Sequence, residues 1–414
     1  MALNYTSFRK HHSVVPHNVT ASLMIADDLA PQRLMAHEAL HDIFALYDAF
    51  ENGEQGANTR FSPDLARYAL ARNDHTTLRP AANEDKAYMR RMLERSLLPI
   101  PVRALCAREE QMRMVIELIA EDTALQDALA KAPDFKLAMV SGSQSTSAFP
   151  HFFRDIDAVK RDLERKNTLK EFAQKQGINA VWEYDSVIPY MHWLDGDFEH
   201  VRKMLEAEAE ETKRFGFTWK SIQKLSVHAH DAFNKPFGAD YFKSAYESSM
   251  MALEAGAECV KTSSGLAALP PLHDFVAKDD GAYASKVLPM LMAVRDFNAK
   301  TGEARWPKFS GGSLNIADAA AVFALSEALC GSEIAQKTVI GAGTGFRDNL
   351  VRFVYEHEGV QSGVKSHDFA PYKFDAAGVS PFRRGWIGAA NRGKTEAHAL
   401  PAPDEVSSVV PEIQ

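Results

Sequence analysis

The sequence predicts an α/β fold, a (β/α)8 TIM barrel with a helical N-terminal extension and a C-terminal extension. Short β-type segments alternate with helical patterns from about residue 70 onward, which is typical of a parallel sheet built from βα units. The length of 414 residues is enough for a barrel together with such extensions. The segments that qualify as strands lie near residues 74–78, 100–106, 136–141, 179–185, 223–229, 257–262, 306–310 and 337–341.

Helical patterns fill most of the intervals between these strands, because apolar residues recur there at the spacing of one helix face. We expect helices at 86–97, 109–122, 155–176, 198–214, 240–255, 282–300 and 316–329. A further helical pattern lies at 30–52. The chain therefore divides into a helical N-terminal extension over 1–69, a barrel over 70–350, and a C-terminal extension over 351–414 whose end is expected to be flexible.

The charge and the cysteines limit the classes of function. A net charge of −8 argues against nucleic acid as the main partner. The cysteines at positions 106, 259 and 330 are widely spaced and form no CxxC pair, so we expect neither a disulfide framework nor a structural zinc site. The first ten residues lack a signal-peptide core and no apolar run approaches membrane-spanning length, so we expect a cytoplasmic protein without a membrane partner.

Two lysines stand at the ends of candidate strands. Lys261 follows an apolar step and precedes Thr-Ser-Ser-Gly, and Lys308 lies in Trp-Pro-Lys-Phe-Ser-Gly-Gly. Barrel enzymes place their catalytic residues at the carboxyl ends of strands. A buried lysine in its neutral form attacks carbonyl carbons, and a second lysine nearby favours that neutral form by like-charge repulsion. The pair therefore indicates an enzyme that forms a Schiff base.

Five motifs, in their order along the chain, resemble those of the deoxyribose-phosphate aldolases, a family of class I aldolases on (β/α)8 barrels. They are Asp-His-Thr-Thr-Leu from Asp74, Tyr-Asp-Ser-Val-Ile-Pro-Tyr around Asp185, Val-Lys-Thr-Ser-Ser-Gly around Lys261, Lys-Phe-Ser-Gly-Gly from Lys308, and Gly-Ala-Gly-Thr-Gly from Gly341. Cys106 also stands where the family often has a second-strand cysteine. The resemblance covers roughly residues 70–350.

The resemblance implies reversible cleavage of 2-deoxy-D-ribose 5-phosphate to acetaldehyde and glyceraldehyde 3-phosphate. Lys261 would form the imine, Lys308 would be the second active-site lysine, and Asp185 would transfer protons. The residues expected to line the substrate site are Asp74, Thr76, Thr77, Cys106, Ser226, His228, Gly265, Gly311, Gly312, Gly341 and Thr344. We expect a small sugar or aldehyde as the partner, and neither a metal nor another cofactor.

The chain departs from the pattern of the family at three places, one of them the last strand, where Gly343-Thr344 replaces Ser-Ser. Leu266 stands where the family usually has a phosphate-binding lysine, and Ser226 takes the place expected for the strand-five lysine. Either an arginine such as Arg347 compensates, or the substrate is an unphosphorylated or different sugar, and the sequence leaves both open. Tyr372 does not match closely the C-terminal tyrosine that has a role in some relatives.

Other kinds of protein are less favoured. His228 and His230 point to the same face of a strand, and polar lining of the barrel mouth is favoured over a metal site because a third ligand is missing. A non-catalytic barrel would have no reason to keep both lysines and Asp185 as buried charges. We expect a homo-oligomer, with a dimer favoured, since the added N-terminal helix offers a surface for association.

Overall fold

The strands of the chain close into a barrel. The computed structural model describes residues 63–77, 85–140, 155–189, 192–193, 196–222, 239–262, 282, 284–310 and 316–359. The strands are β1 (Asn73–Thr76), β2 (Ala104–Ala107), β3 (Lys136–Val140), β4 (Val181–Val187), β5 (Thr218–Ile222), β6 (Cys259–Lys261), β7 (Trp306–Ser310) and β8 (Val339–Ala342). They pair in parallel and in chain order, and β8 returns to pair with β1. The predicted (β/α)8 barrel is therefore confirmed.

Helices cover the outside of the barrel. Within the described residues they are α1 (Pro63–Leu70), α2 (Lys86–Leu97), α3 (Glu109–Glu121), α4 (Thr123–Ala130), α5 (Ile156–Lys175), α6 (Phe198–Phe215), α7 (Ala239–Ala255), α8 (Ala284–Thr301), α9 (Ile316–Cys330), α10 (Ser332–Lys337) and α11 (Thr344–His357). The seven helices predicted between the strands are each found within two residues of their expected ends. The helical pattern at 30–52 lies outside the described residues and stays a prediction. The short helices α4 and α10 were not predicted, because eight and six residues hold too few turns for a clear periodic pattern.

Aspartates start several of these helices. The side chains of Asp85, Asp122, Asp155 and Asp197 each accept a hydrogen bond from a backbone N–H group in the first turn of α2, α4, α5 and α6. A carboxylate at this position satisfies a backbone donor and interacts favourably with the helix dipole. The local sequence therefore helps to fix where these four helices begin.

Alternation along β4 separates an apolar outer face from a charged inner face. On β4, Trp182 and Tyr184 belong to the apolar core between the barrel and the helices, and the Tyr184 hydroxyl bonds to Asp162 on α5. Glu183 and Asp185 lie between them and point to the opposite side, into the barrel. The core that stabilises the fold thus lies outside the barrel, and the barrel interior is left for ionised groups.

The predicted position of the fifth strand was wrong. The sequence predicts this strand at 223–229, but β5 spans Thr218–Ile222. The true segment, Thr-Trp-Lys-Ser-Ile, carries a lysine at its centre, and lysines are rarely buried. Here Lys220 faces inward and meets three carboxylates, which makes its burial possible. Ser226 is therefore not the strand-five counterpart of a lysine, because Lys220 itself holds that place.

The limits of the barrel at residues 70 and 350 stay predictions. Helix α1 ends at the first limit and α11 runs across the second, and these two helices pack against each other. Residues 1–62 and 360–414, which include most of both extensions, lie outside the described residues. No helix among the described residues is long and apolar enough to cross a membrane.

A cavity of about 790 Å³ opens at the amino end of the barrel. Its lining includes Thr218 and Trp306, the first residues of β5 and β7, and Arg103 just before β2. The Arg103 guanidinium lies 5.1 Å above the Trp306 ring. Because barrel enzymes carry out chemistry at the carboxyl ends of their strands, this cavity is not the candidate active site.

Candidate active site

The two predicted lysines are neighbours inside the barrel. Lys261 on β6 and Lys308 on β7 occupy paired positions in the parallel register. Their exposed fractions are only 1% and 0%. Two ammonium groups this deeply buried are costly unless negative charges lie close to them. The position of those negative charges therefore decides what the pair can do.

Asp185 on β4 contacts both lysines through one carboxylate oxygen. Its Oδ2 accepts hydrogen bonds from Lys261 Nζ at 2.7 Å and from Lys308 Nζ at 3.1 Å. Burial by itself would raise the pKa of Asp185, but Lys220, Lys261 and Lys308 outweigh burial and hold this pKa below its ordinary value. The other oxygen, Oδ1, is buried and has no hydrogen-bond partner among the described residues. Asp185 is thus ionised and keeps one oxygen available to a reacting group.

Lys220 on β5, the strand between β4 and β6, contacts three carboxylates. Its Nζ lies 2.9 Å from Asp74 Oδ2 and 3.5 Å from Asp185 Oδ1, and it also donates a hydrogen bond to Glu183. Burial would lower the pKa of Lys220, but Asp185, Asp74 and Glu183 outweigh burial and raise it. Lys220 is therefore a permanent cation at the centre of the barrel.

Asp74 on β1 joins the active-site lysines to the amino end of the barrel. Its Oδ2 lies 2.6 Å from Lys308 Nζ, and its Oδ1 accepts a hydrogen bond from Arg103 at 2.6 Å. Arg103 also pairs with Glu183 on β4. Burial would raise the pKa of Asp74, but Arg103, Lys220 and Lys308 hold it well below its usual range. Asp74 is thus an ionised structural partner of Lys308.

Lys308 stays protonated in this setting. Burial would lower its pKa, but the carboxylates of Asp185 and Asp74 outweigh burial and hold the pKa of Lys308 well above its usual range. Lys308 contacts both carboxylates at hydrogen-bonding distance. A fixed positive charge therefore stands beside Lys261.

The ionised groups of the barrel interior do not balance one another if every group is charged. The carboxylates are Asp74, Glu183 and Asp185, and the cations are Arg103, Lys220, Lys261 and Lys308. Three negative charges thus face four positive ones. Lys220 contacts three of the carboxylates and Lys308 two, whereas Lys261 contacts one within the described residues. Lys261 is therefore the lysine of this group with the fewest carboxylate contacts among the described residues.

Cys106 and Gly341 shape the space around these charges. Cys106 Sγ lies 3.9 Å from Asp185 Oδ2, and burial together with the Asp185 charge raises the pKa of the Cys106 thiol. A methyl group on Gly341 would lie 2.6 Å from Ser310 Cβ and 2.9 Å from Lys308 Cε. Cys106 is thus a neutral wall of the site, and Gly341 leaves the room that the Lys308 side chain needs.

The three threonines expected at the site bind other parts of the structure. Thr76 donates to the Asp74 carbonyl, and the Thr77 hydroxyl pairs with Tyr88 on α2. Thr344 Oγ1 lies 3.0 Å from His75 Nε2, a ring on the outer face of β1. Because Thr344 is the first residue of α11, its backbone is at a helix N-terminus whose N-cap, Gly343, makes no side-chain cap. Of the three, Thr344 offers a backbone donor at a helix N-terminus, whereas the Thr77 N–H already donates to the Cys106 carbonyl.

Arg347 is turned away from the barrel. Its guanidinium donates to Asp348 Oδ1 at 2.7 Å and to the Leu98 carbonyl, and its exposed fraction is 1%. It therefore does not supply the positive charge that Leu266 leaves missing. The remaining expected or considered site residues, Ser226, His228, His230, Gly265, Leu266, Gly311, Gly312 and Tyr372, lie outside the described residues.

Sequence reasoning missed Lys220, Glu183 and Arg103. Glu183 stands two residues before Asp185, so it faces the same side of β4, and this spacing was available in the sequence. Lys220 would have followed from a correct position of β5. Arg103 lies outside any motif. It meets Asp74 because β2 pairs with β1, and it also reaches Glu183 on β4, two strands away in the sheet.

Comparisons with known proteins show the same architecture. No family model matches the chain, and no curated protein does. Two solved structures of a proposed deoxyribose-phosphate aldolase from Toxoplasma gondii ME49 are similar to it. The first, an apo form, has a TM-score of 0.50 at 17% identity and covers 71% of this chain and 97% of its own. The second has a TM-score of 0.51 at 17% identity, with coverages of 76% and 99%. Similarity at this identity shows the shared barrel fold.

Replacing Lys220 with methionine is expected to destabilise the protein strongly. The change leaves Asp74, Glu183 and Asp185 short of a cation, and breaking a buried ion pair in this way costs about 3–5 kcal/mol. Urea unfolding followed by circular dichroism measures the free energy of unfolding. Lys203→Met is the matched control, since it removes an exposed pair with Glu199 on α6 and should change little. Equal effects of the two substitutions would contradict the role given to Lys220.

His75 is expected to make the stability fall in mild acid. Burial, with Arg347 and Arg95 nearby, lowers the pKa of His75 to about 3, whereas an unfolded histidine has a pKa of about 6.5. As the pH falls from about 6.5 towards about 3, His75 binds a proton in the unfolded chain but not in the folded chain. The contribution is therefore complete above about pH 6.5 and is lost at about 1.4 kcal/mol per pH unit below it.

Urea unfolding at about pH 5 and pH 6 tests this slope, because most carboxylates stay ionised there. The His75→Gln variant should lose the histidine part of the slope. His357→Gln, at an exposed position in the last turn of α11, should keep it. A slope that is the same in wild type and His75→Gln would show that His75 does not resist protonation.

Proposed function

We propose that the chain is a class I aldolase that cleaves 2-deoxy-D-ribose 5-phosphate to acetaldehyde and glyceraldehyde 3-phosphate through a Schiff base at Lys261. The observation that carries the proposal is the 2.7 Å contact between Lys261 Nζ and an Asp185 oxygen that also binds Lys308. A nucleophilic amine, a fixed cation and a carboxylate for proton transfer are thus in one buried site.

The charge balance favours Lys261 as the nucleophile. An amine attacks a carbonyl carbon only in its unprotonated form. Lys308 and Lys220 each contact two or more carboxylates and carry charges that the interior needs. Lys261 has a single such contact among the described residues, so its deprotonation removes the excess positive charge. The same network thus keeps two lysines charged and leaves one free to react.

Imine formation then proceeds at the aldehyde carbon of the substrate. The Lys261 nitrogen attacks C1, and loss of water from the carbinolamine gives an iminium ion. Asp185 accepts and returns the protons of this step, directly or through a water molecule, by way of the oxygen that lacks a hydrogen bond. While Lys261 is the neutral amine, one of the three cations that lower the pKa of Asp185 is absent. The iminium ion restores that positive charge, so Asp185 is the better proton acceptor in the steps before it forms.

Cleavage breaks the bond between C2 and C3. Asp185 accepts the proton of the C3 hydroxyl, directly or through a water molecule, and glyceraldehyde 3-phosphate leaves. The electron pair of the C2–C3 bond moves through C2 to the iminium nitrogen as an enamine forms. Protonation of C2 and hydrolysis then return acetaldehyde and the free amine. Lys308 holds its positive charge beside the site throughout and stabilises the Asp185 carboxylate.

The anionic end of the substrate is proposed to rest on backbone donors. The N-terminus of α11 follows β8 at the carboxyl end of the barrel, and a helix N-terminus without a side-chain cap is suited to a phosphate group. Arg347 contributes no charge here, because its guanidinium binds Asp348 and the Leu98 carbonyl. This arrangement, with Leu266 in place of a lysine, also supports a second candidate, the same imine chemistry on an unphosphorylated sugar.

Trapping with acetaldehyde and sodium borohydride is expected to modify Lys261. Borohydride reduces the imine to a stable ethyl amine, which intact-mass analysis and peptide mapping detect. Wild type and Lys300→Met should both carry one adduct on the Lys261 peptide, since Lys300 is an exposed lysine of α8. Lys261→Met should carry none. A folded wild-type protein without an adduct, or with the adduct on another lysine, would overturn the proposal.

The same preparation separates the two candidate substrates. Comparison of kcat/KM for 2-deoxyribose 5-phosphate and 2-deoxyribose reports the contribution of the phosphate group. A clear preference for the phosphorylated sugar supports the main proposal, and equal values support the unphosphorylated alternative.

Activity that survives EDTA, together with borohydride inactivation, would exclude the metal-dependent reading of His228 and His230.

The Asp185→Asn variant is expected to lose about 10²–10⁴-fold in kcat, because an amide of the same shape cannot accept the transferred protons. Steady-state assays of the retro-aldol reaction measure the loss, and circular dichroism confirms the fold. Asp127→Asn is the control, since it changes an exposed aspartate of α4. A kcat within threefold of wild type in Asp185→Asn would remove Asp185 from the proton-transfer steps.

A further inference from the structure

A second group of ligand-type side chains lies in the segment between β4 and α6. His192, Asp197 and His200 each offer one nitrogen or oxygen atom, and these three atoms lie within 4.8 Å of one another. The segment follows the carboxyl end of β4, the strand that carries Asp185. The proposed aldolase chemistry makes no use of these three residues.

The backbone of this segment holds the three residues in place. The Asp197 N–H donates to the His192 carbonyl at 2.9 Å, and the Asp197 side chain caps α6 by accepting from the His200 N–H at 3.2 Å. Between them, Trp193 is buried in the apolar core. The backbone thus keeps the three side chains close together.

The spacing of the atoms suits a transition-metal ion. In a tetrahedral zinc site the metal–ligand distances of about 2.0–2.2 Å place neighbouring ligand atoms about 3.3 Å apart. His192 Nδ1 and Asp197 Oδ2 are 3.4 Å apart, close to this value. His200 Nε2 is buried and makes no hydrogen bond within the described residues. Two ligands are thus already at the required spacing, and the third has a free ring nitrogen.

Two features of the segment disfavour the binding of a cation, and other features of the structure offset each of them. The N-terminus of α6 carries a partial positive charge, but Asp197 and Glu199 place two carboxylates in its first turn. The rings of His192 and His200 stack at 3.9 Å between centroids, so a shared ion requires one ring to rotate about its χ2 angle. Both residues are only half-buried, so such a rotation meets little resistance.

We propose that His192, Asp197 and His200 form a binding site for a divalent transition-metal ion, Zn²⁺ above all, at the carboxyl end of the barrel. Two imidazoles and one carboxylate are a ligand set that zinc accepts, with water completing the coordination. The ion would join the segment that follows β4 to the first turn of α6. The site is independent of the proposed imine chemistry, which uses no metal.

Titration of the full-length, metal-free protein with Zn²⁺ tests the site. Isothermal titration calorimetry gives affinity and stoichiometry, and thermal unfolding with and without Zn²⁺ gives the shift in Tm. We expect one tight equivalent in wild type and at least about tenfold weaker binding in His192→Ala, His200→Ala and Asp197→Asn, as removal of a direct ligand should cost no less than removal of a supporting partner. Asn also serves as an N-cap, so Asp197→Asn keeps α6 capped.

His357→Ala is the matched control, because His357 lies outside the cluster on α11 and should bind Zn²⁺ as wild type does. Circular dichroism checks the fold of each variant. Absence of a tight equivalent in wild type, or unchanged affinity in both Asp197→Asn and the double variant of His192 and His200, overturns the proposal. Loss of binding in the cluster variants with retained borohydride trapping at Lys261 supports it and separates it from the aldolase chemistry.

Discussion

Lys220 meets Asp74, Glu183 and Asp185 at the centre of the barrel, and the rest of the site depends on this contact. The contact joins β1, β4 and β5, which are distant in sequence. Charges with no access to water are stable only when opposite charges surround them. Lys220 can therefore be buried only with carboxylates beside it. Two of these carboxylates, Asp74 and Asp185, also hold Lys308 in its charged form. The reactivity proposed for Lys261 follows from being the cation with least compensation.

The register of the sheet sets the distances between these charged side chains. Lys261 and Lys308 are paired across β6 and β7, and Lys220 is paired with Asp185 across β4 and β5. Side chains in such positions share one level of the barrel, so their distances are set by the backbone and not by flexible segments. Gly341 on β8 shows how little room remains, since even a methyl group there would collide with Lys308.

The sequence was informative where a residue pattern was local and regular. Helices with clear periodicity and strands ending in known motifs were located closely, and Asp185, Lys261 and Lys308 were singled out from short motifs. The fifth strand was misplaced because Lys220 makes its segment look exposed, while the carboxylates that permit its burial lie far away in sequence. Arg103 could not be found for the same reason, because its carboxylate partners, Asp74 and Glu183, lie far from it in sequence.

Arg103 stands between two environments, the cavity at the amino end and the carboxylates of Asp74 and Glu183. In barrel enzymes the amino end usually contributes stability and the carboxyl end activity. Here the Arg103 guanidinium lines the cavity at the amino end and also binds the carboxylates inside the barrel. The two ends of the barrel are therefore not fully separate in role. A library of variants limited to the segments at the carboxyl end would leave Arg103 unchanged, although Asp74 connects Arg103 directly to Lys308. The amino end of this barrel is therefore a second place from which the lysines of the proposed site can be tuned.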